Sequence, residues 1–289
     1  MGDKPLKIAV IGANGQLGSE LCEQLNVKHE IVGLTHSDIE ITNIQSVKKV
    51  LDSIRADVII NTAAYHNLPE CEKNPDLAFQ INAIGAMNLA KTATDTGSVL
   101  VQYSTDYVFD GEKKKPYLEK DMTNPLNIYA MTKLNGEILI KNYCSRYFII
   151  RISGLYGKTI CRAKGNNFIT TMQKAARERE VVKVVNDEIL TPTSVFEISK
   201  NTGQLIETEG FGIYHMTCEG HCSWFEFAGV IFKELGLKTP LISCTSDEFP
   251  SEIKRPSYSV LENDKLNSVN LNHMAHWKDA LLKYLKTII

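Results

Sequence analysis

The sequence predicts an α/β protein: a doubly wound parallel sheet with a smaller, partly interwoven C-terminal region. Three observations point there. Strand and helix patterns alternate through the first half of the chain. Gly12, Gly15 and Gly18 follow an apolar strand in Val-Ile-Gly-Ala-Asn-Gly-Gln-Leu-Gly, and Tyr129 and Lys133 stand four positions apart in a later helical pattern.

Taken in order, residues 7–11 form a short apolar run, as in a parallel strand covered on both faces. Residues 16–25 place Leu17, Leu21, Cys22 and Leu25 on one helix face. A strand at 31–34, a helix at 44–54 and a strand at 57–61 follow. Asn74-Pro75 opens a long helix to about residue 96, with Asn as cap and Pro at the first helical position. A strand at 99–104, a long loop, the helix carrying Tyr129 and Lys133, and a strand at 147–151 complete the alternation, which winds helices onto both faces of a parallel sheet. Beyond residue 153 the pattern loosens into helices near 167–178, 195–208, 223–235 and 275–286 and short strands near 181–185 and 212–216. Ser223 and Glu226 read as a capping box. The expected division is a nucleotide-binding domain over 1–153 and a substrate region over 154–289, with segments around 181–216 returning to the first domain.

Composition excludes several classes. With 32 basic against 34 acidic residues the net charge is −2, without the basic surplus of a general nucleic-acid binder. Lys113, Lys114 and Lys115 read as a solvated loop tip. No stretch reaches the roughly eighteen apolar residues of a membrane span, and Met1-Gly-Asp-Lys-Pro lacks a signal peptide's apolar core, so a cytoplasmic protein is expected. The seven scattered cysteines lack a C-x-x-C pair and read as reduced thiols. His215, Cys218, His221 and Cys222 lack zinc-ligand spacing, so no metal site is expected.

The glycine turn lets backbone approach a pyrophosphate at the N-terminus of the following helix, where free N–H groups favour anions. Tyr129 and Lys133 share a helix face and act at one point. A phenol titrates near pH 10; a neighbouring ammonium stabilises its phenolate and brings it toward the working range. Ser104 and Thr105 fall at the carboxyl end of the fourth strand, the edge where open α/β sheets place ligands.

On Gly-x-x-Gly-x-x-Gly, the hydroxyl ending the fourth strand and Tyr-x-x-x-Lys, the chain resembles the extended short-chain dehydrogenase/reductase family, whose fold is Rossmann-like. Within it, the chain resembles the dTDP-4-dehydrorhamnose reductase group. The stretches are those at 12–18, Asn-Thr-Ala-Ala-Tyr at 61–65, Ser-Thr-Asp-Tyr-Val-Phe-Asp-Gly at 104–111 and Tyr-Ala-Met-Thr-Lys-Leu-Asn-Gly-Glu at 129–137. Later come those at 165–168, 190–193, 212–215, 223–228 and 255–261.

The resemblance implies NAD(P)H-dependent reduction of the C4 ketone of a dTDP-4-keto-6-deoxy sugar, giving dTDP-L-rhamnose. Thr105 would polarise the carbonyl, Tyr129 transfer the proton, and Lys133 hold the nicotinamide ribose. Gly12, Asn14, Gly15, Gln16, Leu17, Gly18, Glu40, Ile41, Ala63, Ala64 and Tyr65 are the implied cofactor residues, with Tyr129 and Lys133. The implied substrate residues are Asp106, Tyr107, His66, Asn167 and Arg255. His66 has two readings, a contact to sugar or diphosphate and a plain loop histidine. Arg151 reads as a diphosphate ligand or as the partner of a carboxylate. Phe168, Trp224 and Trp277 read as core rather than base-stacking residues, and Asp187 as a turn organiser.

NADPH and NADH stay open, since Leu34-Thr-His-Ser37 offers neither an acid nor an arginine at the ribose; the family leans to NADPH. Nothing in the sequence indicates Mg²⁺, and a homodimer is compatible with the family. Two features depart from the group. Gly154 stands in Arg151-Ile-Ser-Gly-Leu-Tyr-Gly157 where the group carries a sugar-contacting Trp, and the loop after Tyr65 differs. The alternatives are a reductase of another nucleotide ketosugar, an epimerase or dehydratase, and a non-catalytic binding subunit. Tyr107 stands where dehydratases carry a Glu.

Overall fold

The computed structural model describes residues 4–160, 165–249 and 251–288. In the first half, β1 (Lys7–Ile11), α1 (Gln16–Leu25), β2 (Glu30–Leu34), α2 (Ile44–Ile54) and β3 (Val58–Asn61) lead into α3 (Leu68–Lys73), α4 (Pro75–Phe79) and α5 (Gly85–Thr96). Then come β4 (Val99–Thr105), α6 (Ile128–Tyr143) and β5 (Tyr147–Ile152). The second half holds β6 (Leu155–Tyr156), α7 (Phe168–Glu178), β7 (Val182–Val185), β8 (Ile189–Leu190), β9 (Thr193–Ser194), α8 (Val195–Leu205) and β10 (Gly212–His215). It ends with β11 (Cys222–Ser223), α9 (Trp224–Glu234), β12 (Leu241–Cys244), α10 (Asp264–Ser268) and α11 (Trp277–Leu285).

Six parallel strands form one sheet in the order β10-β5-β4-β3-β1-β2. Its central strands are mostly apolar because both faces are covered. Ile8, Val10, Ile60, Val101, Phe148 and Ile150 face one core with Leu17, Leu21 and Leu25 of α1 and Ile198 and Leu205 of α8. Their neighbours Ala9, Ile11, Ile59, Leu100 and Ile149 face the opposite core with Val47 and Leu51 of α2, Leu89, Ala90 and Ala93 of α5 and Ile140 of α6. The alternation follows the two-residue period of a strand. β10 and α8 come from the second half of the chain, yet pack on the sheet edge and on α1. By contrast, β7 pairs with β12 outside the main sheet.

The long helix opened by Pro75 is interrupted. Between α4 and α5, residues Gln80–Ile84 form a π-helical segment. The local widening turns Asn82 inward, where it is 3% exposed. Its amide accepts from Tyr65 N–H (2.9 Å) and donates to Tyr65 C=O (2.9 Å) and Thr132 Oγ1 (3.0 Å). One buried side chain thereby joins the loop after β3 to the helix carrying Tyr129. π-segments of this kind recur at functional sites. Asn74 stands at the N-cap position, but its side chain does not cap; Nδ2 donates back to Glu70 C=O at 3.3 Å, because α3 ends directly before it.

α6 crosses this helix closely. A Cβ on Gly136 would lie 2.4 Å from Asn82 C=O, so only glycine fits unless the helices separate. We expect Gly136→Ala to lower stability by about 1–3 kcal/mol, read by urea unfolding. Unchanged stability would mean that the helix pair slides freely.

Candidate active site

A cavity of about 850 Å³ opens along the carboxyl edge of the sheet. Its floor begins at the first turn. Gly12 sits at φ +81°, which a side-chain-bearing residue rarely adopts, and its N–H and that of Ala13 donate to Leu34 C=O (2.8 and 3.1 Å). Thr62 Oγ1 donates to Ile11 C=O at 2.8 Å and fixes the turn against β3. A Cβ on Gly18 would stand 2.1 Å from Gly12 C=O, so this glycine brings α1 onto the turn rather than lining the cavity. α1 begins at Gly15 without a side-chain cap. Its N-terminal dipole end therefore faces the cavity beside Asn14, Gln16 and Leu17. Gln16 Nε2 is buried with no partner, an orphan donor at a site built for an anion. These features fit a dinucleotide pyrophosphate.

Glu40, Ile41, Ala63, Ala64 and His66 continue the wall. Glu40 accepts from Thr42 N–H and Thr42 Oγ1 and faces His36 at 3.5 Å. Asp38 instead closes a turn on Thr35 N–H and Oγ1. His66 Nδ1 lies 3.1 Å from Ala64 C=O. Tyr65 is not on the wall; its backbone is clamped by Asn82, and its C=O also accepts from Cys71 Sγ.

Thr105, Tyr129 and Lys133 converge on the same cavity. Asn127 Oδ1 accepts from Ala130 N–H and caps α6, setting Tyr129 in the first turn and Lys133 one turn on. Burial pushes the Tyr129 phenol well above its ordinary pKa; a hydrogen bond with Thr105 opposes the shift and the Asp106 charge adds to it. The sequence led us to expect the Lys133 ammonium to bring Tyr129 down. In the structure desolvation prevails, and Lys133 Nζ donates to Tyr103 C=O at 2.6 Å. Burial in turn brings Lys133 down to about 8, against the pull of Glu137. The site thus holds a protonated phenol, the state a proton donor needs, and on the next turn of α6 an ammonium that keeps its proton up to about pH 8.

Thr105 Oγ1 donates to Asp106 Oδ1 (3.0 Å) and accepts from Tyr107 N–H (3.2 Å). Ser153 Oγ donates to Asp106 Oδ2 at 2.7 Å. Asp106 is buried, so desolvation raises its pKa while hydroxyls of Ser259, Ser153 and Thr105 hold it down. Tyr107 is raised by burial. Arg151 makes a bidentate pair with Glu137 (3.0 and 2.7 Å) and serves as a carboxylate partner. Arg255 is exposed and off the wall, near Tyr107 and Glu188. Asn167 reaches the wall, but its amide caps α7: Oδ1 accepts from Thr170 N–H and Nδ2 donates to Gly157 C=O.

Phe168 and Trp224 pack against the core, as expected, and also reach the cavity. Both are half-buried and line the cavity, stacked with centroids 4.5 Å apart. Trp277 is buried in the core. Asp187 does not organise a local turn: its carboxylate accepts from Ser246 N–H and Oγ and ties the segment after β7 to the segment after β12. Among the described residues, six cysteines are free and no group of three or more His, Cys, Asp or Glu could hold a metal ion. Cys161 lies outside them. No described helix is long and apolar enough to cross a membrane.

A doubly wound sheet, a glycine turn at its first strand and a Thr, Tyr and Lys gathered beyond it define a nucleotide-dependent oxidoreductase architecture. The chain belongs to the RmlD substrate-binding-domain family, whose profile matches residues 6–289. It is 38% identical to the spore coat polysaccharide biosynthesis protein SpsK of Bacillus subtilis, over 97% of each chain. A dTDP-4-dehydrorhamnose reductase from Clostridium acetobutylicum is 40% identical with a TM-score of 0.94, covering 98% of this chain and 99% of that one. The reductase of Bacillus anthracis, solved in complex with NADP, is 38% identical with a TM-score of 0.94, covering 98% of this chain and 100% of its own.

Proposed function

We propose that this protein reduces the C4 ketone of dTDP-4-dehydro-L-rhamnose to dTDP-L-rhamnose, with NADPH preferred over NADH. One observation carries the reading: Thr105, Tyr129 and Lys133 face the same cavity as the glycine turn, in a chain that matches the reductases end to end. When bound, the dihydronicotinamide supplies a hydride to the carbonyl carbon. The chain supplies the rest. The turn and the α1 N-terminus hold the pyrophosphate, and Lys133 holds the ribose. The Thr105 hydroxyl, turned from Asp106 Oδ1 to the substrate, donates to the carbonyl oxygen, and the neutral Tyr129 phenol delivers the proton as charge builds there. The preference for NADPH is supported by the relative solved with NADP and by Asp38, whose carboxylate is engaged by Thr35 N–H and Oγ1 rather than free for a ribose hydroxyl.

The test is NADPH and NADH oxidation with enzymatically prepared dTDP-4-keto-6-deoxyglucose, with and without a 3,5-epimerase. Oxidation only with the epimerase is expected. Oxidation without it reassigns the product to another 6-deoxyhexose, and none under either condition overturns the reading.

The Lys133 ammonium also predicts a pH dependence. With its pKa brought down to about 8, the charged form prevails below that pH and is lost above it. NADPH affinity, measured by fluorescence titration, is expected to fall as pH rises from 7 to 9, and Lys133→Met is expected to flatten the curve. A pH-independent affinity in the unmodified protein would remove the ammonium from cofactor binding.

A further inference from the structure

The turn after β4 carries a carboxylate that is 4% exposed although it sits on the cavity wall. The oxygens of Asp106 are engaged from within the protein. Oδ1 accepts from Thr105 Oγ1 at 3.0 Å and Oδ2 from Ser153 Oγ at 2.7 Å, and the Ser259 hydroxyl bonds to the same carboxylate. These donors come from three parts of the chain. Thr105 ends β4, Ser153 follows β5, and Ser259 lies in a segment that Ile189 holds by two backbone hydrogen bonds. In the first, Ile189 N–H donates to Ser257 C=O, and in the second Ser259 N–H donates to Ile189 C=O, both at 2.8 Å. All three hydroxyl residues are buried, as the donors to a desolvated carboxylate must be.

The inventory of one hydroxyl then fixes its neighbours. A threonine hydroxyl has one proton and two lone pairs. The Thr105 proton goes to Asp106, one lone pair takes Tyr107 N–H at 3.2 Å, and the other is left for the hydrogen bond with Tyr129. With no second proton on Thr105, the Tyr129 phenol is the donor in that bond. An ionised carboxylate only accepts, so Asp106 sets the direction of the series from Tyr129 through Thr105. When a ketone oxygen arrives it takes the Tyr129 proton, and Thr105 turns from Asp106 to reach it. Asp106 then keeps Ser153 and Ser259, which spares it the full cost of a buried charge without donors.

We infer that Asp106 is a positioning residue for the proton transfer, and that Ser153 and Ser259 are the hydroxyls that allow it to release Thr105 to substrate. The inference rests on the proposed reductase reading. It gives Asp106 a role through Thr105 in place of the sugar contact that the resemblance implies, and it brings Ser259 of the substrate region into the setting of the reacting hydroxyl.

A double-mutant cycle tests the release. Ser153→Ala and Ser259→Ala make Asp106 depend more on Thr105, so each is expected to lower kcat roughly 3–10-fold, with KM for the ketosugar and NADPH affinity within about twofold. In a Thr105→Val background, the same serine changes should leave the remaining kcat within about twofold, because no hydroxyl is left to release. Equal losses of kcat in both backgrounds would mark a merely structural role and overturn the inference. So would an unchanged kcat in both serine variants. Neutron diffraction of the unliganded protein in D₂O reads the direction without substrate. Deuterium is expected on Thr105 Oγ1 toward Asp106 and on the Tyr129 phenol toward Thr105. Thr105 deuterium aimed at Tyr129 overturns the inference even if the serine variants fail to fold. The expected deuterium positions in a protein that reduces no dTDP-4-keto sugar keep the anchor and overturn the reductase reading instead.

Discussion

Tyr129→Phe is expected to lower kcat by about 10³-fold or more, while NADPH affinity stays within a few-fold of the original. General acid catalysis contributes roughly 10²–10⁴-fold, and the other acid beside the Thr105 hydroxyl, Asp106, is already engaged by Thr105 and Ser153. The ring is half-buried and loss of one hydroxyl leaves its packing intact, so the fold should survive. Because the phenol is held neutral by desolvation, loss of the proton donor should appear in kcat rather than in KM. Thr105→Val provides the contrast. It removes the hydrogen bond that opposes the upward shift of Tyr129 and should reduce kcat without erasing it. Stopped-flow single-turnover kinetics at saturating NADPH read both. Turnover retained in Tyr129→Phe would move proton transfer to another group and sink the assignment.

The sheet was legible because its strands are buried on both faces and the turn chemistry is explicit. The helix at 44–54 and the β1 strand fall where periodicity placed them, and the Ser223–Glu226 box forms. Other features left no periodic trace. α3 is one short turn-and-a-half with Pro69 inside it, too brief for a repeating apolar face. The π-segment at Gln80–Ile84 differs from a continuous helix only in one extra residue per turn, which apolar spacing does not resolve. Phe168 and Trp224 read as core, and their cavity side stayed hidden because a cavity wall and a core are both apolar; what distinguishes them is whether the opposite side holds atoms. The state of Tyr129 was misread for a similar reason. Spacing puts Lys133 on the same face, but the competition between desolvation and charge depends on where the ammonium points, and it points to Tyr103 C=O.

The second large effect concerns that ammonium's surroundings. Glu137 sits one turn beyond Lys133 on α6 and is paired bidentately with Arg151, with side chains 2% and 3% exposed. Arg151 also stands 5.2 Å from the centre of the Phe109 ring, and its Nη1 reaches Glu119 C=O only at 3.5 Å. Glu137→Ala leaves the guanidinium charged, buried and short of acceptors, and removing one member of such a pair costs about 3–5 kcal/mol. The expected result is a large fall in urea midpoint. Replacing both partners with apolar residues, Glu137→Leu with Arg151→Met, should recover most of that loss, since the desolvation cost of both ions disappears together. The double variant separates the pair's structural part from its electrostatic one. Glu137 favours the charged form of Lys133, so its removal lowers the lysine further below 8 even where stability is restored. The fall of NADPH affinity with pH should therefore begin at lower pH in the stable double variant. A stable double variant with an unshifted profile would show that the pair holds α6 against β5 and does nothing for Lys133.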